Sequence, residues 1–326
     1  MFGRKKKDIL FDSDLGLRVG GEKKKTWTRS AIELLVMVIP GLIFVAVFAY
    51  LPMFGIILAF KDGDGQLNVL EAMMNSSWVG FDNFLAFFED PDFKDVMLNT
   101  LGLNSIMLCI NFPAPIIFAI LLSEMPFQKI RKGIQTVTYF PYFLSWITYG
   151  GIILALINSD GIINNILMSL NVISSPLDIA GDPAYFWPLI IITSLLKGIG
   201  WGSIIYVAAI AGIDPQLFEA AKMDGATRWH RITRITIPMI APTIVLFLIL
   251  SISGILNNGF DHIWVFQNLT NLERSEVLDT FIYKYGVVTQ QYSYTTAVGL
   301  FKSVISIILL TLGNFVAKRL TGKWIF

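Results

Sequence analysis

Apolar residues along this chain are gathered into six long runs that polar segments separate. The runs cover residues 33–60, 98–122, 134–157, 185–210, 239–256 and 295–317. A helix needs about 20 apolar residues to cross the hydrocarbon core of a bilayer, and each run is close to that length or longer. The pattern therefore predicts an all-α integral membrane protein with six transmembrane helices.

The composition excludes several classes of protein. Of the 326 residues, 54% are hydrophobic and 15% are charged, whereas globular domains carry about 25% charged residues. A soluble enzyme, a disordered protein and a nucleic-acid binder are therefore poor fits. Cys109 is the single cysteine, and His230 and His262 are the two histidines. The sequence thus predicts no metal cluster and no catalytic constellation, and we expect the chain not to be an enzyme.

Basic residues give the expected orientation in the membrane. Of the 25 Lys and Arg residues, 19 lie in the N-terminal segment, in the loops after the second and fourth runs, and at the C-terminus. Four lie in the other loops, while Lys197 and Lys302 lie inside runs. Because Lys and Arg concentrate on the cytoplasmic side, both termini should be cytoplasmic. We expect a basic cytoplasmic segment at residues 1–30 and a six-helix transmembrane domain at residues 31–326.

The cytoplasmic loop at residues 212–238 carries strong helix signals. Asp214 is a good N-cap, Pro215 suits the first helical position, and Gly225 can end the helix with a positive φ. A second short helix is expected at residues 228–237, and Pro238 should mark the entry into the next transmembrane helix. The loop is therefore predicted to be a helix–turn–helix.

The same loop contains Glu219-Ala220-Ala221, then Gly225, nine further residues, and Ile235-Thr236-Ile237-Pro238. This pattern resembles the EAA loop of permease subunits of bacterial ATP-binding-cassette (ABC) importers. Asp224 is an insertion common in carbohydrate importers, and Ile237 replaces the usual Leu. Segments 52–55, 59–62, 139–146, 200–206, 259–261 and 292–303 also resemble the polysaccharide-type subgroup of the MalF/MalG-like superfamily. Tyr142 departs from that subgroup, where His is commoner.

The resemblance implies a type I ABC importer permease fold in a bacterial cytoplasmic (inner or plasma) membrane. The chain would form half of the pathway for a sugar that an extracellular or periplasmic solute-binding protein delivers. The implied partners are a second, homologous permease in a heterodimer and a cytoplasmic ABC ATPase dimer. No Walker-type stretch occurs, so ATP and Mg²⁺ would bind the ATPase and this chain would need no cofactor.

The resemblance also assigns the ATPase-coupling residues. They are Glu219, Ala220, Ala221, Asp224, Gly225, Ile235 and Pro238. An ordinary amphipathic loop remains the alternative for this segment. An importer of a non-sugar solute and an ion-coupled secondary transporter remain the alternatives for the chain.

Candidates for the substrate pathway are polar or aromatic residues in or beside the apolar runs. They are Asn104, Trp146, Tyr149, Lys197, Trp201, Tyr206, Asn257, Asn258 and Lys302. A lysine at the centre of a transmembrane helix costs about 2.5–3.5 kcal/mol, so Lys197 should line a cavity, pair with a partner or snorkel. The asparagines could instead join helices to one another, and the aromatic residues could simply pack. The sugar could be an oligosaccharide, a polysaccharide fragment or a glycoside.

Overall fold

The structure, a computed structural model, describes residues 29–66 and 68–321, and it is helical almost throughout. The α-helices are α1 Arg29–Val45, α2 Leu51–Met53, α3 Val69–Asn75, α4 Asp82–Glu89, α5 Phe93–Asn111, α6 Pro113–Ser123, α7 Gln128–Tyr139, α8 Trp146–Ile157, α9 Ile162–Ser169, α10 Pro183–Ala211, α11 Pro215–Met223, α12 Arg228–Arg231, α13 Ile237–Ser253, α14 Phe260–Phe266, α15 Leu272–Ser275, α16 Leu278–Tyr283 and α17 Tyr292–Thr321. Tighter 3-10 turns lie at Phe54–Phe60 and Phe140–Phe143, and wider π turns lie at Ala46–Tyr50, Ile232–Thr236 and Lys284–Val288. The basic segment expected at residues 1–30 lies, up to residue 28, outside the described residues.

Within the described residues, six helical stretches are long and apolar enough to cross a membrane. They are Ile32–Phe60, Phe93–Ser123, Trp146–Ser169, Pro183–Ala211, Arg228–Ser253 and Tyr292–Arg319. The prediction of six membrane helices is thereby confirmed, and five of the stretches overlap the predicted runs closely.

The third predicted run, residues 134–157, is wrong as a single helix. The chain turns at Phe140–Phe143, and Ser145 is extended and caps α8 by accepting the Thr148 N–H at 3.1 Å. Pro141 has no N–H to continue a helix, and a serine N-cap favours a new start. The membrane-capable stretch therefore begins at Trp146 and not at residue 134.

Contacts divide the chain into two units, residues 1–54 and 55–326. In the first unit, the described side chains from Ile32 to Phe54 are all exposed. In the second unit, α10 is the central helix, because it packs against α5, α6, α7, α13 and α14.

Three buried apolar clusters hold the second unit together. One joins α5, α8, α10 and α14 around Phe186 and Phe266. Another joins α4, α5, α16 and α17 around Phe87 and Phe281. The third joins α6, α10 and α13 around Tyr206 and Ile240, and it also receives the loop described below.

Candidate functional sites: an exposed helix–turn–helix and a helical cavity

The 212–238 loop forms the predicted helix–turn–helix. The Asp214 carboxylate accepts the Gln216 N–H at 2.9 Å, and Pro215 is the first residue of α11. These two residues fix the start of α11, because an aspartate cap satisfies an otherwise unpaired N–H and proline needs no such partner. The local sequence signals were therefore sufficient to place this helix.

The end of α11 explains why the loop contains Gly225. The Ala226 N–H donates to the Ala221 carbonyl at 2.9 Å, and the Gly225 N–H donates to the Lys222 carbonyl at 3.1 Å. This pair of bonds is the Schellman ending of a helix, which requires a left-handed residue. Gly225 supplies it with φ +73°. The glycine of the motif thus holds the bend between α11 and α12.

The loop presents one face to solvent and anchors the other. Glu219, Ala220, Asp224 and Gly225 are exposed, and Ala221 is half-buried. This exposed face is available to a partner that approaches closely, since alanines leave the helix backbone accessible.

The anchored face of the loop packs on the cluster of α6, α10 and α13. Phe218, Ile232 and Ile235 are partly buried against this cluster. Arg231 forms an ion pair with Glu124, which follows α6, at 3.5 Å. Ile235, one of the predicted coupling residues, is therefore a packing residue that fixes the loop to the helix bundle.

The second half of the loop is continuous with α13, which the sequence did not predict. The helix runs without interruption from Arg228 to Ser253. Ile237 donates its N–H to the Ile232 carbonyl five residues back, which is a π turn. Pro238, the next residue, has no N–H, so it needs no acceptor in the helix. Pro238 lies in the first turn of α13, as expected for the entry into this helix, but no break separates α13 from the short helix before it.

A cavity of about 550 Å³ opens between α5, α6, α10 and α13. It brings together four of the predicted pathway residues, namely Asn104, Trp201, Tyr206 and Asn257. The lining residues, all within the described ranges, include no charged side chain. The cavity wall therefore offers carboxamides, hydroxyls and aromatic faces, with apolar residues between them.

Two further polar residues line the cavity: Asn111, a polar residue inside an apolar run, and Ser251, which the sequence did not single out. The Asn111 carboxamide oxygen is buried and makes no hydrogen bond in the described part of the chain. The Ser251 hydroxyl donates to the Phe247 carbonyl at 2.8 Å. Asn111 could be found from its position in an apolar run, but a serine in such a run carries no distinct signal.

Lys197 does not line the cavity but satisfies the break between α7 and α8. Its ammonium donates to the carbonyls of Pro141 at 2.9 Å, Tyr142 at 3.1 Å and Leu144 at 2.5 Å. A broken helix leaves carbonyl groups unpaired, and such groups are costly without water. The charge of Lys197 therefore stabilises a backbone break 53 to 56 residues away.

The break is in turn connected to the cavity wall through aromatic rings. The Tyr142 ring stacks on Trp201, with ring centroids 4.4 Å apart and planes 4° apart. The rings of Trp146 and Tyr149 lie 5.0 and 5.5 Å from the Lys197 ammonium. Trp146 and Tyr149 thus surround Lys197, and Trp201 joins this cluster to the cavity.

His262 belongs to the same cluster, although the sequence offered no signal for it. Its ring stacks on Trp146 at a centroid distance of 3.8 Å, and Nε2 lies 3.0 Å from the Thr193 hydroxyl. Burial, with Lys197 as a second cause, holds the pKa of His262 well below its usual range. The ring is therefore a neutral packing and hydrogen-bonding group.

Lys302 and Asn258 meet at a third place. Lys302 forms an ion pair with Asp279, and the Asn258 N–H donates to the other carboxylate oxygen of Asp279 at 2.9 Å. The Asn258 side chain is 6% exposed and has no hydrogen-bond partner among the described residues. Asp279 was missed because it lies in α16, outside the apolar runs.

The described residues contain no candidate metal site. No group of three or more His, Cys, Asp or Glu side chains there is arranged to hold a metal ion.

Comparisons with known proteins agree on one family. Residues 98–322 match the family model of the binding-protein-dependent transport system inner membrane component. The chain is 41% identical to protein LplB of Bacillus subtilis (strain 168) over 294 residues, which cover 90% of this chain and 91% of LplB. It is 38% identical to the polygalacturonan/rhamnogalacturonan transport system permease protein YteP of the same strain, over 94% of each chain.

A solved structure has the same fold. A chain of a bacterial ABC transporter involved in the import of the acidic polysaccharide alginate superimposes with a TM-score of 0.81, at 33% sequence identity. The match covers 90% of this chain and 97% of that one. A second structure of a bacterial alginate ABC transporter, in complex with an alginate pentasaccharide-bound periplasmic protein, matches equally well at 32% identity. This chain therefore belongs to the binding-protein-dependent transport system inner membrane components, the multi-pass permeases of ABC importers, which are a transporter family and not an enzyme family.

Proposed function

We propose that this chain forms half of the translocation pathway of an ATP-driven sugar importer and is moved by a separate ATPase through the 212–238 loop. The observation that carries the proposal is the continuity between loop and cavity. The loop packs on α6, α10 and α13, and its second half continues into α13 without a break in the helix. These helices also line the cavity.

This continuity supports a lever mechanism. A ligand or partner changes a conformational equilibrium only through interactions that differ between the two conformations. An ATPase dimer that closes on ATP would push on the exposed face of Glu219 and Ala220. Since Ile235 and Phe218 bury the other face, the push would move α13 and the cavity wall with it.

The chemistry of the cavity supports a sugar as the substrate. A sugar needs hydrogen-bond partners for its hydroxyls and aromatic or apolar faces for its C–H groups. Asn104, Asn257 and Trp201 supply both kinds of contact. YteP and the alginate importer are named for the transport of sugar polymers. We propose an oligosaccharide, a polysaccharide fragment or a glycoside as the transported solute.

We further propose the assembly and the orientation. A second, different permease would complete the pathway, a cytoplasmic ATPase dimer would bind ATP and Mg²⁺, and a binding protein would deliver the sugar from outside. Both termini and the 212–238 loop would face the cytoplasm of a bacterial cell, as the distribution of Lys and Arg favours. Glu219, Ala220, Ala221, Asp224, Gly225, Ile235 and Pro238 would transmit the movement.

Reconstitution of the complete importer tests this function. The chain is purified with its co-encoded permease, ATPase and binding protein, and ATP hydrolysis and sugar uptake are measured in proteoliposomes. We expect a sugar-loaded binding protein to stimulate both. Hydrolysis that ignores every binding protein would contradict the proposal, and uptake driven by an ion gradient without ATP would support the secondary-transporter alternative. Stimulation only by a binding protein loaded with another solute would support the non-sugar alternative.

A further inference from the structure

Helix α4 is not one of the six membrane-capable stretches, yet it exposes a continuous apolar stripe. Phe81, Leu85 and Phe88 follow the i, i+4, i+7 spacing of one helix face, and they are 68%, 56% and 48% exposed. We call these three side chains the 81–88 face. Such a stripe is unfavourable in water, so something apolar should cover it.

The other two sides of α4 have different chemistry. The buried side carries Phe87, which is 1% exposed, and Asn83, whose amide donates to the carbonyls of Ala59 at 3.1 Å and Lys61 at 2.9 Å. The remaining side carries Asp82 and Glu89, which are exposed. Helix α4 therefore has a protein-facing side, an apolar side and an acidic side, as expected for a helix at the boundary between lipid, water and protein.

The packing of α4 against α17 gives its depth. The Phe88 ring contacts Phe301 at a centroid distance of 5.5 Å. Phe301 lies nine residues after Tyr292, the first residue of α17, which corresponds to about 14 Å along the helix axis. The 30 residues of α17 span about 45 Å, so a centred α17 extends about 7 Å beyond each side of a ~30 Å hydrocarbon core. Phe301 would then lie roughly 6 Å inside the hydrocarbon, and Phe88 lies beside it.

The segments before and after α4 contact the ends of two membrane-capable stretches, which is consistent with the same depth in the membrane. The Val79 N–H donates to the carbonyl of Phe60, the last residue of a membrane-capable stretch, at 3.0 Å. Phe88 contacts the ring of Phe93, the first residue of the next stretch, at 5.4 Å. Helix α4 is thus held between the ends of two membrane helices.

This end of the bundle is the one opposite the 212–238 loop. Tyr294, near the start of α17, packs in one cluster with Leu256, which follows the end of α13. The 212–238 loop instead runs into the start of α13. The 81–88 face therefore belongs to the outer leaflet when the loop is cytoplasmic.

We propose that the 81–88 face is embedded in the headgroup–acyl boundary of the outer leaflet, so that α4 is an interfacial membrane helix. Aromatic residues are favoured at this depth, and Trp78, 66% exposed, lies next to the stripe in sequence. The nearby charges are mostly acidic, so insertion relies on apolar burial and not on attraction to anionic lipids. The proposal does not depend on which solute the protein transports.

Spin labels on the two exposed sides of α4 test this proposal. Cys109, the single cysteine, is first replaced in Cys109→Ser, and Leu85→Cys or Ala86→Cys is then added and labelled. Both positions are exposed and, as consecutive residues, they lie about 100° apart around the helix axis, so Ala86→Cys is the matched control. The protein is reconstituted with its co-purifying subunits, and label collisions are measured with oxygen, which enters lipid, and with a water-soluble nickel chelate.

We expect the oxygen-to-nickel collision ratio to be high at residue 85 and low at residue 86, in neutral and anionic bilayers alike. Phe81→Cys should repeat the result for Leu85→Cys. Equal ratios at residues 85 and 86 would contradict a stripe that is embedded on one side of α4 and overturn the proposal. A label at residue 85 shielded from both reagents would show coverage by protein. If the label is already shielded before the binding protein is added, the second permease covers it. If it becomes shielded only after the binding protein is added, that protein covers it. Either outcome would overturn the proposal.

Discussion

Gly225→Ala should loosen the link between the ATPase and the pathway while leaving membrane insertion intact. Gly225 holds the Schellman ending of α11 with φ +73°. An alanine must either adopt this left-handed conformation or release the turn. The change therefore acts on the angle between α11, which a partner would push, and α12, which is continuous with α13.

The expected magnitude follows from the backbone alone. No atom lies within 4 Å of the position that a Cβ at residue 225 would occupy, so there is no clash to add. The left-handed conformation costs an L-residue about 1–2 kcal/mol. That energy lowers the population of the native turn by a factor of about 5–30 relative to its alternatives.

A second glycine supplies the control. Gly133 lies inside α7, where a Cβ would again have no atom within 4 Å and where φ is not positive. Gly133→Ala should stabilise α7 by about 0.5–1 kcal/mol, since glycine is unfavourable in a helix interior. Gly225→Asn should fall between wild type and Gly225→Ala, because asparagine tolerates the left-handed region.

The assay is ATP hydrolysis and solute uptake by the reconstituted importer, measured with and without loaded binding protein. Gly225→Ala should lower uptake per ATP hydrolysed several-fold at equal amounts of inserted protein, and Gly133→Ala should not. Equal coupling in Gly225→Ala and wild type would refute the argument that the bend transmits the movement. Loss of coupling in both variants would show that the effect does not come from the positive φ.

Three further substitutions test other contacts. Lys197→Met leaves carbonyls of the α7–α8 break without their donor, at about 1–3 kcal/mol for each orphaned group, so it should melt at a lower temperature than Lys197→Arg; equal melting temperatures would contradict this. Ser251→Leu should reduce uptake, because the larger side chain intrudes into the cavity. Ser303→Leu is the control and should not reduce uptake, since Ser303 makes the same hydrogen bond to the fourth preceding carbonyl as Ser251 does. Equal uptake by the two variants would argue against the cavity as the pathway. Lys302→Met leaves the Asp279 carboxylate without its cation and with the Asn258 N–H as a remaining partner, and it should cost about 3 kcal/mol. Adding Asp279→Asn, which removes the charge and keeps an oxygen for the Asn258 N–H, should restore much of the melting temperature; no recovery would show that the pair is not the cause.

Local features of the sequence were enough for the number of membrane helices, for the positions of five of them and for the helix–turn–helix. The length of an apolar run determines whether a helix can cross a bilayer. Asp214, Pro215 and Gly225 set the ends of α11 through bonds to residues at most five positions away. These predictions succeeded because the interactions that decide them lie within a single turn or two of helix.

The break at Pro141 shows where local patterns stop being sufficient. The apolar run at residues 134–157 indicated one helix, and Pro141 alone could mean a kink or a break. The outcome depends on the Lys197 ammonium, which pairs the carbonyls that the break leaves open. That donor lies on another helix, α10, so the pattern of residues 134–157 cannot reveal it.

The sequence by itself thus determined the number of membrane helices, the positions of five of them, the exposed loop motif and most of the polar residues available to a pathway. Only the tertiary structure decided how those polar residues are used. Asn104 and Asn257 line the cavity, and the Asn104 amide also donates to the Ile255 carbonyl at 2.7 Å. Lys197 instead pairs backbone carbonyls, and Lys302 pairs with Asp279. A buried polar group must find a partner, and which partner it finds depends on side chains brought together by packing between helices far apart in the chain.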